Sequence, residues 1–240
     1  PDVTWEKSNN FNVGIEGKLW NRFSFGVEYF IKETKDMIYY RPLPVSQGAP
    51  TSQLVNDMDM MNTGIEFDLS MDIFKNRNFS WNVAINGTHY KNKITKLPSD
   101  YPAEGKQISS YWRELGGSLY NYYMYEWAGV DPENGHALYN KYTTDENGKE
   151  TVETVTSTSE ASYRKTGKTP IPDLYGGFST TLRFYGFDLS ANFAYQLGGW
   201  TNDTVYQSLM TAGSAGNNWS RDIFKRWAPT NSGSPVSRGG

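Results

Sequence analysis

Chemistry in this chain would have to come from carboxylates, two histidines and a large stock of aromatic rings. There is no cysteine, which excludes a disulfide framework, a thiolate metal site and a cysteine nucleophile. His89 and His136 are the two histidines, too few for a multi-histidine zinc site. His89 reads as a solvated polar residue at the top of an alternating segment, and His136 as the flank of a turn. No G-x-S-x-G elbow and no G-x-x-x-x-G-K-[ST] phosphate loop occurs. Gly198-Gly199 reads as a strand end or bend. Asp131, Glu133 and Asn134 carry hard oxygens suited to calcium, but the spacing departs from an EF-hand loop and Gly135 comes too early. A solvated turn is the expectation there. The expected protein is not an enzyme and holds no metal and no cofactor.

The aromatic residues number 17 Tyr, 12 Phe and 8 Trp. Trp5, Trp20, Tyr29, Trp81 and Trp127 fall at or near the ends of alternating segments. Amphipathic rings favour the level of lipid headgroups, so these predict aromatic girdles. Tyr39, Tyr40, Tyr111, Trp112 and Trp200 fall at loop boundaries, where flat rings can stack on sugars and nearby Asn, Gln and Asp can pair with hydroxyls. They form the candidate substrate-binding patch.

The elements that must position these residues are strands. From Phe11 every second residue is apolar or small (Phe11, Val13, Ile15, Gly17, Leu19), and Asn12, Gly14, Glu16 and Lys18 lie between. The alternation returns at Phe23–Ile31, Ile65–Met71, Phe79–Ile85, Phe178–Phe184 and Phe187–Tyr195. Period two places one apolar and one polar face on each strand. The segments pair through short connections at Trp20-Asn21-Arg22, Phe74-Lys75-Asn76-Arg77-Asn78 and Tyr185-Gly186. Long loops separate the pairs: Lys35–Asn62, Lys96–Arg113 and Lys141–Pro172. Short turns alternating with long loops is the plan of an outer-membrane barrel, and runs of about 9 residues or more suit a tilted membrane strand. The polar face would line a wet interior through Asn12, Glu16, Glu28, Glu66, Asp68, Asn82, Asn86, Arg183, Asp188, Asn192 and Gln196. Tyr120–Tyr139 reads either as a further spanning hairpin or as an external excursion, giving about six or eight spanning strands. Trp219–Trp227 is predicted to be a short helix in a loop, capped by Ser220 and followed by Pro229.

A net charge of −3 gives no basic stripe of the kind a nucleic-acid binder shows. No run of about 18 apolar residues provides a transmembrane helix, which leaves barrel strands open. Pro1 and the Ser237-Arg238-Gly239-Gly240 end read as the limits of a piece cut from a longer protein.

Several passages together resemble one family. Pro1-Asp2-Val3-Thr4-Trp5-Glu6 and Asn12-Val13-Gly14-Ile15-Glu16 are similar to the P-x-L-T-W-E and N-x-G-x-D passages of SusC/RagA-type TonB-dependent transporters. The stretch from Tyr29 to Ile38 resembles Y-Y-x-K-x-T-x-D-L-L. Asn62-Thr63-Gly64-Ile65-Glu66 resembles N-x-G-x-E, and Gly129-Val130-Asp131-Pro132-Glu133-Asn134-Gly135 resembles G-x-D-P-x-x-G. Pro172 to Phe178 resembles P-x-x-x-G-G-F, Phe187-Asp188-Leu189-Ser190 matches F-D-L-S, and Arg226-Trp227-Ala228-Pro229 resembles R-W-T-P.

The resemblance implies an all-β fold: an antiparallel transmembrane β-barrel section of about six to eight strands from a barrel of about 22. Residues 1–240 would all belong to the barrel domain, with the plug domain and final strands absent. It further implies active import of a large nutrient, an oligosaccharide or oligopeptide, across the cell outer membrane. The implied partners are a SusD-like surface lipoprotein, TonB acting through the absent N-terminal region, and outer-membrane lipid; nucleic acid is not among them. Two competing readings are a passive small barrel or porin and a soluble glycan-binding β-sandwich.

Overall fold

The computed structural model describes residues 3–44, 46, 48, 51–211, 216 and 218–237. Pro1 and Asp2 of the first motif, and the Arg238-Gly239-Gly240 end, lie outside the described residues. The strands are β1 (Lys7–Leu19), β2 (Phe23–Pro42), β3 (Ser52–Lys75), β4 (Phe79–Lys96), β5 (Lys106–Ile108), β6 (Tyr111–Arg113), β7 (Tyr123–Tyr125), β8 (Trp127–Val130), β9 (Ala137–Thr144), β10 (Glu150–Val155), β11 (Tyr163–Lys165), β12 (Leu174–Phe184) and β13 (Phe187–Leu197). Helix α1 spans Thr204–Met210, and a 3₁₀ turn spans Arg221–Lys225. The chain divides into two compact units, Pro1–Asn121 with Gly167–Trp200 and Tyr122–Thr166 with Thr201–Gly240.

The first unit is built on a six-stranded antiparallel sheet in the order β1-β2-β3-β4-β12-β13. All six predicted alternating segments lie in it. Register sets the faces. Val13 pairs with Tyr29 and Tyr29 with Ile65; Leu69 pairs with Ile85, Ile85 with Phe178 and Phe178 with Phe193. Directly paired residues share a face, so one apolar surface runs unbroken across six strands. It is open: Ile15 is 65% exposed, Leu189 68% and Phe193 58%. Among the described residues, the buried hydrophobic cluster at the sheet's loop end is Met58, Ile94 and Leu119, with Met37, Met60 and Leu97 against it. A soluble sandwich would bury its apolar faces against one another; this sheet does not. The edge strands β1 and β13 each have a single neighbour among the described residues, so the sheet is not a closed small barrel.

The short connections form as predicted. Trp20 and Asn21 take φ of 50° and 53° in the three-residue connection between Leu19 and Phe23; Tyr185 and Gly186 take 45° and 87° between Phe184 and Phe187, the left-handed pair that a two-residue hairpin turn requires. The Asn76 side chain accepts from the backbone amides of Asn78 and Phe79 at 3.2 and 2.9 Å, shaping the third turn.

One expectation is corrected, and one open reading is narrowed. Much of Lys35–Asn62, predicted to be a loop, is strand: β2 is 20 residues long and β3 is 24, and they pair to Pro42↔Ser52. Apolar alternation fades there because polar and apolar residues mix on both faces, with Met58 buried and Met37 and Met60 packed against it, so the pattern that marks a strand is lost while the ladder persists. Asn56 braces the extension, donating to the Asp36 carbonyl at 2.6 Å across a bulge in β2. Of the two readings of Tyr120–Tyr139, the short strands β7 and β8, three and four residues long in the second unit, suit the external excursion; among the described residues the large sheet has six strands.

The second unit carries a three-stranded sheet, β10-β9-β8, and a β11-β7 pair. The helix predicted over Trp219–Trp227 is a 3₁₀ turn of five residues, capped by Ser220 as expected. Helix α1 begins at Asp203, whose carboxylate accepts from the Tyr206 amide at 2.8 Å.

Candidate functional site

The polar face of the six-stranded sheet is assembled from the predicted residues. Glu16 lies in register with Gly26, Gly26 with Asp68 and Asp68 with Asn86, while Glu28 pairs with Glu66. Asn82 donates to Asp72 at 2.9 Å, Arg183 to Asp188 at 2.8 Å, and Asn86 accepts from the Gly177 amide at 2.9 Å. Asn12, Asn192 and Gln196 fall on the same face by register. Small residues Gly26, Ser70 and Ala84 leave a hollow of about 500 Å3 over Glu16, Asp68 and Asn86. This face is polar and acidic, of a kind suited to line a conduit.

The opposite face is ringed at its turn end by aromatics. Phe74 packs on Phe79 and Trp81 at 5.9 and 6.3 Å, Phe79 on Phe184 at 6.2 Å, and Phe184 on Tyr185 at 4.7 Å. Trp81 donates its indole N–H to the Thr180 hydroxyl at 2.9 Å. Trp20 sits at a hairpin tip, 83% exposed, and Tyr29 on the apolar face of β2. Trp127 lies on β8, in the second unit. Trp5, 90% exposed, stands six residues before Phe11, outside the apolar band.

At the loop end of the first unit, a charged cluster ties the β2–β3 extension to the segment after β4. Arg41 donates to Asp57 at 2.6 Å and to the Ser99 hydroxyl at 2.8 Å; Lys96 pairs with Asp57 at 3.2 Å, and Lys106 with Asp100 at 3.4 Å. Burial alone would raise the Asp57 carboxyl, but hydrogen bonds from Ser99 and Lys96 overcome it and hold the group down to about 2.

Three of the five candidate substrate residues are attached to this region. Tyr39 donates its hydroxyl to Asp100 and meets the Tyr101 ring edge-on at 6.4 Å. Tyr111 and Trp112 lie on β6, which pairs with β5 through Lys106↔Arg113; Tyr111 meets Tyr120 at 5.8 Å, and Trp112 donates to Glu114 at 3.1 Å. Tyr40 follows on β2, 69% exposed. Trp200 occupies another neighbourhood, with the Lys168 ammonium 3.7 Å above its ring. The candidates therefore occupy separate stations of one unit.

The sequence reading missed an aromatic run in the second unit. Trp127 meets Tyr139 at 5.9 Å, Tyr139 meets Tyr125 at 6.2 Å, and Tyr163 contacts both Tyr125 and Tyr123 at 3.9 and 5.4 Å. The density of tyrosines between Tyr120 and Trp127 was its only signal. Beside it, Tyr142 and Asn140 donate to Glu126 and lower its carboxyl below the usual range.

The turn at Asp131 is built by its own acid groups. Asp131 accepts from the Glu133 amide at 2.9 Å and from the Asn134 side chain at 2.5 Å, and among the described residues no acidic or histidine group is arranged to hold a metal. Gly135, at φ 76°, lies under the Trp227 ring, which a Cβ would strike; Trp227 also donates to the Pro132 carbonyl at 3.1 Å. The G-x-D-P-x-x-G and R-W-x-P passages meet at this contact.

A family model described as TonB dependent receptor-like, beta-barrel matches residues 1–163. TonB-dependent receptor P3 of Formosa agariphila is 29% identical, the match covering 99% of this chain and 24% of that protein. TonB-dependent receptor SusC of Bacteroides thetaiotaomicron is 26% identical over 88% of this chain and 21% of its own. The RagAB peptide importer in its closed-closed state superposes with a TM-score of 0.80 at 28% identity, over 100% of this chain and 26% of that one. The chain spans about a quarter of the length of the curated relatives it matches.

Proposed function

The chain belongs to the TonB dependent receptor-like β-barrel family, and from that premise we propose that it forms one section of the wall of an outer-membrane importer for a large nutrient. The carrying observation is the six-stranded sheet with one unbroken apolar face and one acidic, polar face. In lipid an open sheet edge is untenable, so both edges call for further strands of a larger barrel. The apolar face meets the bilayer, the short turns face the periplasm, and the β2–β3 extension stands above the outer leaflet. Residues 1–240 all serve the barrel domain.

Transport of this kind makes and breaks no bond, in keeping with relatives that are named as receptors. Energy enters through TonB, and a SusD-like lipoprotein covers the mouth; the similarity to SusC and to RagAB supports both partners. The cargo is an oligosaccharide or an oligopeptide, the latter favoured by the resemblance to a peptide importer. Tyr39, Tyr40, Tyr111, Trp112 and Trp200 meet it at the loop end.

Uptake of labelled oligopeptide and oligosaccharide pools by cells with and without the full-length gene tests this reading. Accumulation of one pool that needs both the gene and inner-membrane energy supports it. Accumulation that persists after the energy coupling is abolished contradicts it. Replacing Trp200 or Tyr111 with Ala is expected to weaken cargo binding by about five-fold, the worth of roughly 1 kcal/mol of ring contact, measured by titration of the purified complex.

A further inference from the structure

The apolar row on the outer face of β4 reads Trp81, Val83, Ile85 and Gly87, and the next residues at the same period are His89, Lys91 and Lys93. Three basic-type side chains therefore follow directly above the lipid-facing band. At this level the wall is not continuous. The β4–β12 register ends at Thr88↔Tyr175, and pairing along that edge resumes only where Ile94 exchanges hydrogen bonds of 2.8 Å with Gly116 and Gly117. Between these points a window of about 330 Å3 opens, lined by His89, Lys91, Asn92, Ser118, Thr169 and Asp173.

The chemistry of the window is that of an anion site. His89 Nδ1 lies 2.5 Å from the Asp173 carbonyl; donating its proton there leaves Nε2 as the polar atom at the other side of the ring. The Asp173 carboxylate itself turns to Gly198 in β13's following bend. Lys7, Lys35, Lys75, Lys96 and Lys106 are each paired with a carboxylate, whereas Lys91 and Lys93 have no such pair among the described residues. The Lys93 stem runs past Gly116, at the upper lip of the window.

We propose that this window binds the phosphate of an outer-leaflet glycolipid headgroup, with Lys91 and Lys93 as its cations and the Ser118 and Thr169 hydroxyls beside them. The inference rests on the outer-membrane reading above. A lipid is the source because the lysines continue the lipid-facing row, while transported cargo would travel along the opposite, acidic face. Basic clusters at membrane boundaries attract anionic headgroups by roughly five-fold per lysine.

The test uses the full-length protein extracted from outer membranes and reconstituted in nanodiscs with lipid A, either phosphorylated or enzymatically dephosphorylated. Native mass spectrometry counts the lipid retained. The phosphorylated lipid is expected to be retained preferentially, with the preference falling roughly five-fold for each of Lys91→Gln and Lys93→Gln and unchanged by Lys7→Gln, whose ammonium is already paired with Asp36. Equal retention of the two lipids, or an unchanged preference in the double variant, overturns the proposal. Displacement of the lipid by inorganic phosphate assigns the site to the free ion and also overturns it. Absence of the protein from the outer-membrane fraction overturns the underlying reading as well, and so is distinct from the other failures.

Discussion

Asp57 shows how much of the rim rests on single groups. Its carboxyl is held at about 2 against an ordinary value of 3.8. A group depressed in the folded state contributes stability that is fully present above its unfolded value and lost as pH falls through its folded one. The rim cluster is therefore expected to loosen between about pH 4 and pH 2, and Asp57→Asn to remove that acid transition, followed by limited proteolysis of the β2–β3 extension in the full-length protein. Gly64 makes a different point. A Cβ there would strike the His89 carbonyl and the Phe30 ring, so Gly64→Ala is expected to destabilise by about 1–3 kcal/mol, read as a lower midpoint in heat-modifiability. Sequence placed Gly64 in a motif without a reason for it, because the reason is a backbone and a ring from two other strands. At Asp131 the sequence pointed to a turn, and there the structure spends the carboxylate oxygens on the turn's own N–H groups.

At the scale of the strand, legibility follows the medium. Where β1, β2, β3, β4, β12 and β13 present an apolar face, period-two alternation located each of them. Beyond Ile31 and before Ile65 the same strands continue with polar and apolar residues mixed on both faces, and the alternation that names a strand is missing. Helix α1 escaped notice because seven residues give too short a window for a 3.6-residue period to stand out. The two faces make opposite predictions under the same substitution. Val13→Arg places a charge in lipid and is expected to cost about 2–4 kcal/mol; Asn12→Arg, one residue earlier on the wet face, is expected to cost little. Unfolding of the two variants from detergent or bilayer compares them directly, and equal costs would contradict the assignment of faces.

For the molecule as a whole, a sheet of six strands with two edges unpaired among the described residues fits part of a larger wall. The 240 residues expressed alone are expected to aggregate and to yield no heat-modifiable monomer in detergent, because the edges invite pairing with other chains; a compact, closed and monomeric product would contradict this. The order of the motifs made the family legible, while the separate stations of the candidate aromatic residues were not, since they depend on how segments far apart in the chain return to the loop end. The central claim is that one face of this sheet meets lipid and the other meets water. The chain has no cysteine, so single cysteines introduced in β13 of the full-length protein report one position each. Spin labels at 187, 189, 191 and 193 are predicted to relax with oxygen dissolved in the bilayer, and labels at 188, 190 and 192 with a water-soluble nickel chelate. Accessibility to the chelate at every position, without alternation, would contradict the account.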